Sequence, residues 1–378
     1  MSVKNIFKVL IASVLLKIAY LVFAYFVLGN SSIFSFQGYS SIINRNDTGW
    51  YGKIAENWYP EITDVRDLGY SYKEDFKQSE WAFFPLYPAI NRALMNACSI
   101  TFDESAFIWS VLLSSLVFIG FYIFCELYTK DPRKSLYYSM VFLLFPFNYY
   151  FSMMYTEAAF FVLLIFAFIA VHQRKNLYLP FLIIPLVLVR SAGIVALIPL
   201  YLYFLERNHI LTKYRLDVKQ LLGKRNIGQT MLFVTGPIAF LLYCLYQKQM
   251  TGQFFAFSIA QAGWYREFRF PLLSFFRSGD FTTQFNSVYT LIVMILSIFI
   301  WKKNPLSLNL FIWLSLLLPL CSGLVTSMPR FISVIFPLVM ILGSWLYRFK
   351  YRNLFLGIFF SLQIFVFYYW LIAHPFSF

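Results

Sequence analysis

Apolar runs close to the length that crosses a bilayer recur along the whole chain, and nothing else in the sequence narrows its fold as much. A spanning helix takes about 20 mostly apolar residues. Such runs lie at 6 to 28, 106 to 125, 136 to 151, 155 to 171, 229 to 247, 287 to 301, 306 to 325, 331 to 347 and 354 to 373. Two shorter pieces, 177 to 189 and 191 to 205, lie on either side of Arg190 and Ser191, as separate segments or as one broken helix. The pattern predicts an all-α polytopic membrane protein of about 11 transmembrane segments, forming one domain over residues 1 to 378. Hydrophobic residues make up 60% of the chain and charged ones only 13%, a balance that excludes a soluble globular domain.

The formal net charge of +14 would suggest nucleic acid in a soluble protein, whereas in a membrane protein its distribution over the loops sets orientation. Lys4 and Lys8 before the first run suggest an inside amino terminus. The inside loops then carry 18 Lys and Arg against 4 Asp and Glu, and the outside loops 12 against 13. Basic clusters on alternate loops are a signature of membrane insertion, so nucleic acid is excluded as a partner and membrane lipids are expected. Lys17 lies within the first run, where a carboxylate or a carbonyl in the bundle is its expected partner. That run exceeds the core of a signal peptide and lacks a small-residue cleavage site, so it is expected to stay as an anchor. Cys98, Cys125, Cys244 and Cys321 sit in or beside apolar segments without metal-type spacing and read as packing residues.

The first outside loop, about residues 29 to 105, holds 10 of the 17 acidic residues together with many aromatics. Structureless loops of that length are uncommon unless functional. Within it, TGWYGKIAENWY places Trp50, Ile54, Ala55 and Trp58 near one helical face, and FFPLYPAINRALMNAC gives an apolar stripe after Pro88. Both read as interfacial helices lying against the outer membrane surface.

Polar residues at the edges of apolar segments gather on that same side: Asp47, Glu80, Glu157, Arg190, Gln261, Arg266 and Arg330. Ionisable groups in such segments are costly, tend to face an interior cavity and act there, so their concentration at one face points to an active site. Each also has a plainer reading. Asp47 is a preferred N-cap type for a helix starting at Thr48 or Gly49. Glu157 and Arg190 suit a mutual ion pair, and Arg330 suits an interfacial anchor.

The order of these residues resembles a known family. Asp47-x-x-x-Tyr51 with Ile54-Ala55 behind it is followed by AFFPLYP at 82 to 88, then by P-x-N-x-x-x-S-x-x-Y-x-E ending at Glu157. R-S-x-G at 190 to 193, F-x-x-A-Q-x-x-W ending at Trp264, and P-R-F with F-P at 329 to 337 complete the series. Together they resemble the PIG-V family, multi-span mannosyltransferases of the GT-C class related to the enzyme adding the second mannose of the glycosylphosphatidylinositol precursor. The chain departs at Asn46, where the family usually has Trp, and at Thr156, where it has Ser. The resemblance implies a GT-C-type bundle and, for so compact a chain, a prokaryotic relative in a bacterial cytoplasmic membrane. It also implies a polyprenyl-phosphate-linked sugar donor used on the extracytoplasmic face with inversion at the anomeric carbon. A glycolipid or glycan is the expected acceptor, and mannose itself rests on the resemblance. Two Asn-x-Ser/Thr sequons, at Asn30 and Asn46, would face the lumen in a eukaryote, where a glycan on Asn46 would crowd Asp47, which favours a bacterial membrane.

The residue types suit that chemistry. Inverting transfer needs one carboxylate to take the acceptor's proton, and a phosphate leaving group needs no general acid. Asp47 is the expected base. Arg190, Arg266 and Arg330 are the cations for the departing phosphate, which a planar guanidinium grips in two places. Glu157 and Gln261 would shape the site, and Tyr51, Trp81, Tyr87 and Trp264 are candidates to stack on the sugar or the lipid head. No Asp-x-Asp pair occurs, and the doublets Glu74-Asp75 and Asp103-Glu104 read as solvated or helix-end charges, so activity without a metal or other cofactor is expected. Two other classes share parts of the pattern. A polysaccharide polymerase or ligase would use a diphosphate-linked donor, and a flippase or transporter would line a path through both halves of the membrane.

Overall fold

The structure, a computed structural model, describes residues 2–72, 75–212, 215–276 and 279–377. Among them, five helices are long and apolar enough to cross a membrane singly: Val3–Leu28, Phe102–Thr129, Lys224–Thr251, Phe281–Phe299 and Arg352–Leu371. Shorter apolar helices, including Thr156–His172, Leu306–Leu320 and Phe336–Leu346, pack between them. The chain is thus an all-helical, multi-pass integral membrane protein. Two antiparallel hairpins, Tyr70–Tyr72 with Asp75–Lys77 and Leu211–Thr212 with Arg215–Leu216, are additions that apolar periodicity gave no sign of.

Several expected segments are broken. The run 136 to 151 is helical only over Pro132–Leu144. Pro146 then removes a donor and disfavours helical backbone at Phe145, and the chain continues as the single-turn helix Asn148–Ser152. The run 331 to 347 splits into Met328–Ser333 and Phe336–Leu346, each with proline in its first turn. Residues 177 to 205 form two helices, Leu179–Val189 and Ala192–Arg207, with Arg190 extended between them.

Where the helices do form, local signals fit. Thr101 caps Phe102–Thr129 in a reciprocal box with Glu104, the helix-end role expected of that doublet, whereas Glu74 lies outside the described residues. Asp131 caps Pro132–Leu144 by accepting from Arg133 and Lys134 N–H. Thr156–His172 is apolar on all sides and almost wholly buried, which makes it the central helix. Gly120 lets the neighbouring Phe102–Thr129 approach it, since a Cβ there would stand 2.8 Å from Ile165. Rings fill the same layer, with Phe121–Phe142 at 4.3 Å and Phe142–Phe161 at 5.1 Å. Lys17 finds no carboxylate partner among the described residues: its Nζ donates to the hydroxyls of Ser13, at 3.0 Å, and Ser115, at 3.4 Å.

The first loop builds a cap from the helices Phe36–Ile43, Asp47–Asn57 and Leu86–Cys98 and the first hairpin. Ile54, Tyr59, Leu68 and Trp81 form a small core of their own with Ala256 and Ala260. Gly263 packs directly on this cap, as a Cβ there would meet the Lys77 carbonyl at 2.2 Å. The other end of the bundle is tied by Ser2 N–H to Glu126, Arg207 to the His172 carbonyl, Ser307 to Glu206, and Tyr137 to the Arg352 carbonyl. The basic loops therefore gather at the end opposite the cap.

Candidate active site

Asp47 opens the cap helix out of a tight turn. Asn46 takes φ 51° and ψ −107°, near the first central position of a type II′ turn, and Thr48 N–H closes the turn on the Arg45 carbonyl at 3.2 Å. Asparagine is among the few side chains common in such positive-φ turns. Arg45 fixes the turn from behind: its guanidinium donates to the carbonyls of Trp370 and Leu371 at the end of the last helix. Asp47 is the first helical residue, and its side chain makes no cap. It reaches across to another segment.

That segment carries Arg330, in the short helix Met328–Ser333. Arg330 Nη1 donates to Asp47 Oδ2 at 2.8 Å, and its Nε donates to Glu157 Oε1 at 2.7 Å. Glu157, in the first turn of the central helix, accepts on the same oxygen from Arg190 Nη1 at 2.8 Å. One guanidinium thus joins two carboxylates, and one carboxylate joins two guanidiniums. The Glu157 side chain is 0% exposed, Arg330 11% and Asp47 27%, so the chain of ion pairs runs from the interior to an opening at Asp47. The broken helices explain the convergence, because every one of these four residues sits at a helix end or break.

Aromatic faces hold the guanidiniums in place. Arg330 lies 4.1 Å from the Tyr155 ring centroid, and Arg190 and Arg266 both lie against Phe331, at 5.5 and 5.9 Å. Arg266 has no ion-pair partner among the described residues, and burial among these rings pulls its guanidinium below the ordinary value, the charge of Asp47 opposing that pull.

These groups border a cavity of about 380 Å³. Asp47, Tyr51, Arg190, Gln261, Trp264, Arg266 and Arg330 all line it. Its wall continues along Val195 and Pro199 on one helix and Phe311, Leu314 and Leu318 on the facing one, so a charged mouth leads to an apolar floor. Gln261 donates to the Ala82 carbonyl at 3.3 Å, and Trp264 meets Trp50 and Phe83 edge-on. Trp81 and Tyr87 do not line the cavity. Trp81 is buried against Tyr59, with its indole N–H on the Pro60 carbonyl, and Tyr87 is buried behind Tyr51. Trp81 fills the small core of the cap and Tyr87 joins the main core, because both cores need large rings as much as any ligand would.

The sequence pattern did not single out Tyr155, Phe331 or Glu267. The first two were part of the quoted motifs but carried no charge to mark them. Glu267 lines the cavity with its Oε2 on Arg269 at 2.7 Å. Among the described residues no group of His, Cys, Asp and Glu is arranged to hold a metal ion. Compared with known proteins, the chain matches no family model and no curated sequence.

Proposed function

We propose that this protein is an inverting glycosyltransferase that moves a mannosyl residue from a polyprenyl-phosphate-linked donor to the hydroxyl of a glycolipid or glycan, on the extracytoplasmic side of a bacterial cytoplasmic membrane. The observation that carries the reading is the pairing of Asp47 with Arg330 at the mouth of a cavity that Arg190 and Arg266 also line. In this reading Asp47 takes the acceptor's proton as its oxygen attacks the anomeric carbon, and the sugar–phosphate bond breaks. The electron pair leaves on the lipid phosphate, where Arg266 and Arg190, held on Phe331 in a water-poor site, stabilise the growing charge. Glu157 touches no substrate and acts by positioning Arg330 and Arg190.

Two further features support it. The apolar floor below the charged mouth suits a donor whose phosphate continues into a hydrocarbon chain. The basic loops lie at the opposite end of the bundle, which by the positive-inside rule supports a cavity on the outer side and an amino terminus inside. The test is transfer of radiolabelled mannose from synthetic polyprenyl phosphate mannose to membrane lipids and polymers, in membranes with matched amounts of wild type and Asp47→Ala. Label with wild type alone is expected. Equal label in both would remove Asp47 from the mechanism, and no label in either would turn the search to other polyprenyl sugars and then to a diphosphate-linked donor.

A further inference from the structure

The end of the bundle that carries the basic loops holds a second cavity, of about 310 Å³, between the close of Phe102–Thr129, the start of Leu306–Leu320 and Phe336–Leu346. One wall is a single helical stripe. Pro337, Met340, Ile341, Ser344 and Trp345 recur at i, i+3, i+4, i+7 and i+8, and Arg348 continues the line in the turn beyond. The chemistry changes in order along it, from apolar side chains to a hydroxyl, an indole and a guanidinium, over roughly 16 Å at the helical rise. On the facing wall Lys303 and Asn304 precede Leu308, so the same descent from charge to amide to apolar side chain repeats.

The charged end lacks internal partners. Neither Lys303 nor Arg348 forms an ion pair among the described residues, and the Asn304 Nδ2 is buried without an acceptor. Glu206 is turned onto the Ser307 N–H and hydroxyl. Two cations and a buried amide donor thus converge with nothing to receive them, above an apolar wall. A free phosphate would satisfy the donors and leave that wall uncovered.

We propose that this cleft binds an anionic phospholipid, its phosphate held by Lys303, Arg348 and the Asn304 amide and its acyl chain lying along Met340, Ile341 and Leu308. Ser344 and Trp345 meet the glycerol region between them. Basic pockets between helices on the cytoplasmic side are the setting in which acidic head groups are held. The site stands apart from the Asp47 cavity and does not depend on the transfer reaction.

The experiment uses the full chain in detergent, titrated with dioleoyl phosphatidylglycerol, with dioleoyl phosphatidylcholine or with inorganic phosphate. Bound lipid is counted by native mass spectrometry, and the unfolding temperature is followed in parallel. The variant is Lys303→Gln with Arg348→Gln. Both side chains are exposed and unpaired, so its lipid-free unfolding temperature should match wild type. Lys219→Gln with Lys224→Gln, on the basic loop elsewhere at this end, is the control. Phosphatidylglycerol is expected to be retained by wild type and control, with apparent affinity about tenfold lower in the variant. Equal retention in variant and wild type, equal binding of the two lipids, or a stability shift reproduced by inorganic phosphate alone would each overturn the proposal.

Discussion

Asp47 and Glu157 are both carboxylates on Arg330, yet their surroundings assign them different tasks. Asp47 is open to the cavity, whereas Glu157 is enclosed and serves two arginines. Asp47→Asn should therefore cut transfer by about 10²- to 10⁴-fold while the protein accumulates normally, as read from initial rates in matched membranes. Glu157→Gln should act first on stability, because it leaves two guanidiniums without their shared anion; losing one partner of a buried pair costs about 3–5 kcal/mol. Thermal unfolding in detergent measures this, and Asp64→Asn, in an exposed pair with Arg66, should leave the unfolding temperature unchanged. At this scale Asp47, Arg190, Arg266 and Arg330 were legible as charges beside apolar runs, whereas Glu267 was not and Glu80 does not line the cavity. The sequence separated the aromatics poorly. Trp81 and Trp264 look alike in a stretch rich in rings, and only packing decides that one fills the cap and the other borders the cavity.

Among the elements, the breaks matter more than the helices. Apolar periodicity finds a helix and is blind to where it stops, so 136 to 151 and 331 to 347 read as whole segments although Pro146 and Pro337 stood in both. Those interruptions carry the site, because an interrupted helix is what brings an arginine or a carboxylate to the end of a bundle. The contact between cap and loop at Gly263 is equally specific. Gly263→Val would push a side chain into the Lys77 backbone, and about 1–3 kcal/mol of stability should be lost. Transfer should fall with it, since Gln261, Trp264 and Arg266 sit on the displaced turn. Gly228→Ala, inside a helix and with no other segment within 4 Å of the added methyl, should leave transfer unchanged and stability equal or slightly higher.

At the scale of the molecule, the charge count anticipated the separation of the two ends, because loops alternate in sequence and a helical bundle preserves that alternation. It leads to a direct test of orientation. Cys98 is exposed at the end of a cap helix, while Cys125 and Cys244 are buried. A membrane-impermeant maleimide should label Cys98 in intact cells. Labelling that requires permeabilisation would reverse the molecule and place the cavity in the cytoplasm. Transfer measured in excess EDTA should stay within about twofold of its value with magnesium, since the proposed leaving group is met by arginines.

With Glu267 met by Arg269, the three arginines around the cavity exceed the carboxylates of Asp47 and Glu157 by one positive charge. A sugar-linked phosphodiester brings one negative charge and balances that excess; the bare lipid phosphate left after transfer brings nearly two. The pocket is thus matched to what it receives and overfilled by what it must release. Departure of the spent carrier would then be favoured by charge, and polyprenyl phosphate added from outside should compete with the donor only at concentrations above the donor's own KM.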